Sequence, residues 1–453
     1  MVFMDKNQLQ YFRNIHKQHI WWPFTPMKLA KEPFFIEKGE GVYLYGYDYD
    51  GNSIQFIDAI SSWWVSIYGH NCKPLKEAIK KQLDILEHVI YASMEHEPAL
   101  KLAKMLSEKS NHTLSRVFYS DDGSTAMEIA AKMAYQYFQN QGLFQKKTFF
   151  VLENGYHGDT FGTMSLGARS DFHKVYEPLL FNVIHIPMSY SSEMGMFDEQ
   201  LAKQELQPLL KQLDNYFEKF HKEVCGIVIE PLIQGAAGML MYHPIVLKKI
   251  RELCDNYNIF MICDEVFTGA GRTGPYFAYE HAGIYPDILA LSKGLPAGYA
   301  TFAVTMCKEK VYQGFYSDNK QHTLFHGHSM TGNPIGCAIS ISSIELYEQL
   351  DIKNKISLIE KWHKEFLEEL KQSSVNHKIK ETRYFGSVAA VVVKISKEAL
   401  KTFNLEVIDF SVKNGALIRP LGNILYIVPP YIIEKMELKK IYEVIFKILK
   451  EML

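Results

Sequence analysis

Lys293, in the stretch ALSKGLPAGYATFAV, puts one ammonium between a short apolar run and two glycines. A lysine at a strand end is ordinarily a solvated surface residue, so the rest of the chain must decide whether it does chemistry. Asp264 in IFMICDEVFTGAGRTG follows a mostly apolar run and so emerges at the end of a buried strand. A carboxylate there needs a cationic partner or strong hydrogen bonds. Arg272 in the same motif is one such partner; the protonated ring nitrogen of a ligand is another. Gly123 and Ser124, in FYSDDGSTAMEIA, lie where a strand turns into a periodic helix. Free N–H groups at a helix N-terminus favour an anion, although the serine also reads as a plain N-cap. The spacing is neither that of a Walker-A loop nor G-x-G-x-x-G. Tyr156, in NGYHGDTFGTMSLG, offers a ring for stacking, with His157 and Asp159 in the same turn.

Together these features meet the needs of one cofactor, pyridoxal 5'-phosphate. Its carbonyl takes a lysine amine as a Schiff base, and a carboxylate keeps its ring nitrogen protonated so that the ring acts as an electron sink. An anion cradle and a stacking tyrosine complete the set. Lys293 is then held covalently rather than left as a buried ammonium. A binder without catalysis on the same scaffold should lack the lysine or the aspartate, and both are present.

Such residues must be positioned by elements, and the pattern of elements is regular. The runs RVFYSDD, KTFFVLEN, NVIHIP, CGIVIEP, NIFMICDEV and DILALSK alternate with helical stretches. Short apolar runs without alternation suit strands buried on both faces, and intervening helices imply a mostly parallel sheet. Ligands of such sheets gather at the carboxyl ends of the strands, where the polar punctuation lies. The expected fold is therefore α/β, with a large domain over residues 60–340. Residues 1–59 and 341–453 are expected to form one smaller α+β domain from both chain ends. In the first of these, Asp50-Gly51 separates two aromatic and β-branched runs, a hairpin signal.

A length of 453 residues exceeds what one core supports, and 47% hydrophobic with 22% charged residues is an ordinary globular composition. A net charge of −2 gives no electrostatic case for nucleic acid or an anionic membrane. Six scattered cysteines without C-x-x-C spacing point to reduced thiols. No apolar N-terminal segment or long apolar span is seen, so a cytoplasmic protein is expected. His322, His326 and His328 lack carboxylate or cysteine support and are read as loop and core residues, not a metal site.

The motifs DEVFTGAGRTG and SKG resemble those of the class-III pyridoxal-phosphate aminotransferases, which have the fold-type-I transferase architecture, and the likeness runs over nearly the whole chain. HIWWPFTPM, SSWWVSIYGHN, YHGDTFGTMSLG, HGHSMTGNPIGCA and IRPLGNILYIVPPYII are similar to the branch that aminates 8-amino-7-oxononanoate in biotin biosynthesis. The resemblance implies that Lys293 bears the cofactor, that Asp264 pairs with its ring nitrogen and that Tyr156 stacks on its ring. It implies a phosphate cup of Gly123 and Ser124, completed by Ser329 of a second subunit with Gly327 and His328 beside it, hence a homodimer. It further implies substrate contacts from Trp63, Trp64, Phe24, Asp159, Arg419 and Tyr426. Phe24 stands where many members carry tyrosine. The HGHS segment resembles relatives that use lysine as donor, whereas the paired tryptophans resemble users of S-adenosylmethionine. S-adenosylmethionine is the donor expected, with lysine, or another ω-amino-acid aminotransferase reaction, as the alternative.

Overall fold

The computed structural model describes residues 6–169, 173–190 and 199–453. A seven-stranded sheet lies at the centre, in the order Arg116–Ser120, Ala303–Cys307, Ile288–Leu291, Phe260–Asp264, Val224–Ile229, Thr148–Leu152, Ile184–Ile186. Six strands run the same way; Ala303–Cys307 is antiparallel to both its neighbours. The expectation of a mostly parallel sheet is met, and the reversed strand has a simple cause. The residues after Lys293 turn straight back into the sheet without a crossover helix, so the returning strand must pair antiparallel.

The apolar runs are continuous because both sheet faces are covered. Ile227, Ile229, Met261, Cys263, Leu289 and Leu291 enter one core cluster. The intervening Val228, Ile262 and Ala290 enter another, with Met127, Ala130 and Phe138 of the helix Gly123–Asn140. Each fully buried large apolar side chain adds about 1.5–3 kcal/mol. All six cysteines are unpaired, five of them buried.

The Asp50-Gly51 hairpin forms between Tyr43–Tyr47 and Ser53–Asp58. Asp48 Oδ1 closes it by accepting from the N–H groups of Asp50 and Asn52, and Gly51 takes a left-handed φ of 85°. The strand Ala416–Leu417 pairs parallel with Ser53–Asp58, which joins the two chain ends in one sheet. A separate three-stranded sheet is built from Ile379–Phe385, Val388–Val393 and Ile424–Ile427. The helix Pro334–Gln349 runs across residue 340 and stops before Asp351, whose φ of 48° turns the chain into the next helix, Ile352–Gln372.

Candidate active site

Because six strands share a direction, Ser120, Leu152, Ile229, Asp264 and Leu291 all end at one edge of the sheet. A cavity of about 300 Å³ opens there, and Gly123, Ser124, Tyr156, Asp264, Lys293 and Trp64 all line it. The segments that supply these residues are far apart in sequence; only the sheet brings them together.

Asp264 is buried. Its Oδ2 accepts from His157 Nδ1 at 2.7 Å and its Oδ1 from the Val266 N–H at 3.1 Å. The alternative pairing with Arg272 is not made. The Arg272 guanidinium is buried elsewhere, donating to Pro429 O at 3.0 Å, Ser387 Oγ at 3.3 Å and Trp64 O at 3.4 Å. It also sits over the Tyr431 ring at 4.8 Å. With its Nδ1–H committed to Asp264, His157 leaves Nε2 buried with no hydrogen-bond partner among the described residues.

Lys293 follows the strand Ile288–Leu291 and has a φ of 35°, rare for a residue with a Cβ and common where function constrains a backbone. Its Nζ lies 4.7 Å from the Trp64 ring centre and 6.0 Å from that of Phe267. It makes no ion pair or hydrogen bond among the described residues. Burial pushes its pKa below the ordinary lysine value; Asp264 and Glu230 oppose the shift and Arg272 adds to it.

The helix Gly123–Asn140 begins at the cavity. Asp122 caps it by accepting the Thr125 N–H at 2.9 Å, and the Thr125 hydroxyl accepts the Asp122 N–H in return. The first N–H groups, at Gly123 and Ser124, have no partner within the helix, and both residues line the cavity. A Cβ at Gly123 would stand 2.7 Å from Val266 Cγ1, so only glycine lets the helix start so close to the loop after Asp264.

Tyr156 donates its hydroxyl to Asp159 Oδ2 at 2.9 Å, and its N–H to Glu230 Oε1 at 3.0 Å. Glu230 was not singled out from the sequence, yet its signal was the one that marked Asp264: a carboxylate directly after a buried apolar strand. It also accepts the Gly235 N–H at 3.0 Å, and burial pushes it up to about 7, with Asp264 adding to the rise and His157 opposing it. His157 had been noted only as a neighbour of Tyr156; the fold makes it the partner of Asp264.

Trp64 forms a wall of the cavity, while Trp63 faces outward and carries the Arg419 guanidinium 4.4 Å over its ring. Phe24 meets Trp63 edge-on at 5.7 Å. Tyr426 is fully buried in the strand Ile424–Ile427 and packs edge-on against Trp64 at 6.0 Å; like Trp63, Phe24, Asp159 and Arg419, it is not part of the cavity lining. Gly327, His328 and Ser329 do not line the cavity of their own chain. His328 Nε2 lies 3.8 Å from Asp121, and the Ser329 carbonyl accepts from His88 Nε2 at 2.6 Å.

Comparison with known proteins agrees with this geometry. The family model "Aminotransferase class-III" matches residues 26–449. The adenosylmethionine-8-amino-7-oxononanoate aminotransferase of Synechococcus elongatus is 40% identical over 437 residues, covering 96% of this chain and 99% of that protein. Its namesake from Geobacter sulfurreducens is 38% identical over 448 residues, with 96% of both chains covered. The crystal structure of the enzyme of that name from Methanocaldococcus jannaschii superposes with a TM-score of 0.86 at 32% identity, covering 98% of this chain and 99% of that one. A PLP-bound amine transaminase from an uncultivated Pseudomonas species superposes at 0.85 and 26% identity, with 95% and 98% covered. Sheet, cavity and matched length lead to one assignment: this chain belongs to the class-III aminotransferases.

Proposed function

We propose that the chain is a pyridoxal phosphate-dependent transaminase that moves an amino group onto 8-amino-7-oxononanoate to give 7,8-diaminononanoate, a step of biotin biosynthesis, with S-adenosylmethionine as donor. The observation that carries the reading is Lys293. It is a cavity-facing amine, unpartnered among the described residues, in the same cavity as a buried carboxylate and a helix N-terminus.

The residues present fit the cofactor. Gly123 and Ser124 offer N–H groups and a hydroxyl to a phosphate. Tyr156 supplies a ring wall, and Asp264 a carboxylate for a protonated ring nitrogen. When bound, pyridoxal phosphate supplies an electron-withdrawing ring that stabilises negative charge on the carbon beside the reacting nitrogen. The protein does the rest. His157 donates to Asp264 and so holds its carboxylate in one orientation. Lys293 Nζ takes the proton from the substrate carbon and returns it, and its lowered pKa keeps more of it neutral near pH 7. Arg419 offers a planar fork to a substrate carboxylate, and Trp63 beneath it fixes the plane of that fork. Asp159, Phe24 and Tyr426 complete the substrate site, with Tyr426 packed against Trp64.

The choice of donor rests on the aromatic surface. A sulfonium and an adenine gain cation–π and stacking contacts of about 0.5–2 kcal/mol from each favourable aromatic partner. A homodimer is part of the reading, supported by where the HGHS segment lies: Ser329 is off its own cavity, and Phe325 and Met330 beside it are exposed. The cytoplasm is the proposed location; among the described residues no helix is long and apolar enough to cross a membrane.

The test is a half-reaction followed by absorbance. Purified enzyme loaded with pyridoxal phosphate is mixed with S-adenosylmethionine or with lysine alone, and conversion of the cofactor to its aminated form is recorded. Conversion by S-adenosylmethionine, abolished in Lys293→Ala, is expected. Conversion by lysine alone would overturn the donor; conversion by neither, with no 7,8-diaminononanoate formed, would overturn the reaction.

A further inference from the structure

Ser61, Ser62, Trp63 and Trp64 all have positive φ, at 48°, 47°, 77° and 74°. With ψ of 49° at Ser62 and 44° at Trp63, these are left-handed α values. The hydrogen bonds complete the description: Trp64 N–H donates to Ile60 O at 2.8 Å and Val65 N–H to Ser61 O at 2.9 Å. This is one turn of left-handed α-helix built without a glycine. Residues with a Cβ visit that region as single residues, not in series, because each conflicts with the following carbonyl.

Something must hold such a turn, and three sets of bonds do. Asp58, fully buried, accepts from the Ser62 hydroxyl at 2.6 Å and the Ile60 N–H at 3.3 Å, and lies 3.0 Å from His70 Nε2. The Ser61 hydroxyl donates to Val428 O at 2.7 Å. Arg272, with no carboxylate of its own among the described residues, donates to the Trp64 carbonyl. The product is a fixed divergence of two adjacent indoles. Trp64 turns inward to Lys293 and Trp63 outward beneath Arg419.

We propose that this turn is a strained positioning device, with Asp58 and Ser62 as its positioning residues, that sets substrate specificity by aiming Trp64 at the reacting amine and Trp63 at the carboxylate-binding arginine. The specificity part rests on the transaminase reading above; the strained turn does not. A right-handed path through the same four residues would send the indoles elsewhere, so the backbone, and not only the presence of two tryptophans, defines the substrate walls.

The experiment compares Ser62→Gly with Ser62→Ala. Both lose the hydroxyl bond to Asp58, but glycine adopts a positive φ freely and alanine does not. In the loaded enzyme, Ser62→Ala keeps the Cβ conflict but loses the bond to Asp58 that offsets it, and is expected to raise KM for 8-amino-7-oxononanoate about tenfold, with kcat changed much less. Ser62→Gly should stay near the wild type. In the same proteins without cofactor, the near-UV circular dichroism of the indoles should change in Ser62→Ala and be kept in Ser62→Gly. Equal behaviour of the two variants in both measurements, whether wild-type or impaired, would overturn the proposal. A wild-type enzyme that does not transaminate would strike the proposed function instead, and the dichroism comparison would still decide whether the turn is strained.

Discussion

Lys293 and Glu230 show what burial does to opposite charges in one cavity. It lowers the pKa of the lysine and raises that of the glutamate, and both shifts favour the neutral form. The glutamate gives a measurable consequence. Its folded value of about 7 lies above the ordinary carboxylate value of 4.5, so over that interval the folded state holds a proton that the unfolded chain has released. Stability from this group is complete below pH 4.5 and declines as pH rises to about 7, by at most about 1.4 kcal/mol per pH unit. Glu230→Gln, which cannot ionise, should remove that slope. Urea unfolding of the two proteins from pH 5 to pH 8 should show the wild type losing ground to the variant as pH rises; parallel curves would contradict the assignment. For Lys293 the sign runs through activity. With Lys293 as the proposed base, its neutral form does the work, so turnover should rise with pH and level off below the ordinary lysine range.

At the scale of elements, the start of the helix Gly123–Asn140 depends on one missing methyl group. Alanine is the better helix former, yet its Cβ would meet Val266 Cγ1 at 2.7 Å, in the loop that follows Asp264. Val266 N–H is bonded to Asp264, so the loop cannot recede without disturbing the carboxylate. Overpacking of this kind typically costs 1–3 kcal/mol. Gly123→Ala is therefore expected to weaken pyridoxal phosphate binding about tenfold, read by titrating the cofactor-free protein and following absorbance. Binding as tight as in the wild type would show that the helix start tolerates displacement.

At the scale of the whole molecule, the question is where the proposed phosphate cup ends. If Ser329 acts across an interface, a chain carrying Lys293→Ala and a chain carrying Ser329→Ala restore each other. One site of each hybrid dimer then has an intact lysine from one chain and an intact serine from the other. With free exchange, about half of the dimers are hybrid, and the mixture should reach about a quarter of wild-type activity. Each variant alone should stay far below that. No gain on mixing, with exchange shown by differently tagged chains, would place Ser329 in its own chain's site or outside any site.

The central sheet, Lys293, Asp264 and the helix start at Gly123 were legible in the sequence because their signals are local. An apolar run of strand length ending in one charged residue states both its burial and the place where the charge emerges. Glu230 carries the same local sign, but its meaning comes from the register that sets Ile229 beside Cys263 and so brings two carboxylates to one sheet edge. The partners of Arg272 and Ser61 are backbone carbonyls of Pro429 and Val428, 157 and 367 residues away. No periodicity or motif encodes such pairs. The hand of the Ser61–Trp64 turn and the burial of Tyr426 against Trp64 depend likewise on how the ends of the chain pack against the sheet. What the sequence determined by itself was the set of elements and the chemistry each delivers at its end. Tertiary packing decided the direction in which the side chains point and which of them stay unpaired, because both depend on contacts between segments that only the folded chain brings together.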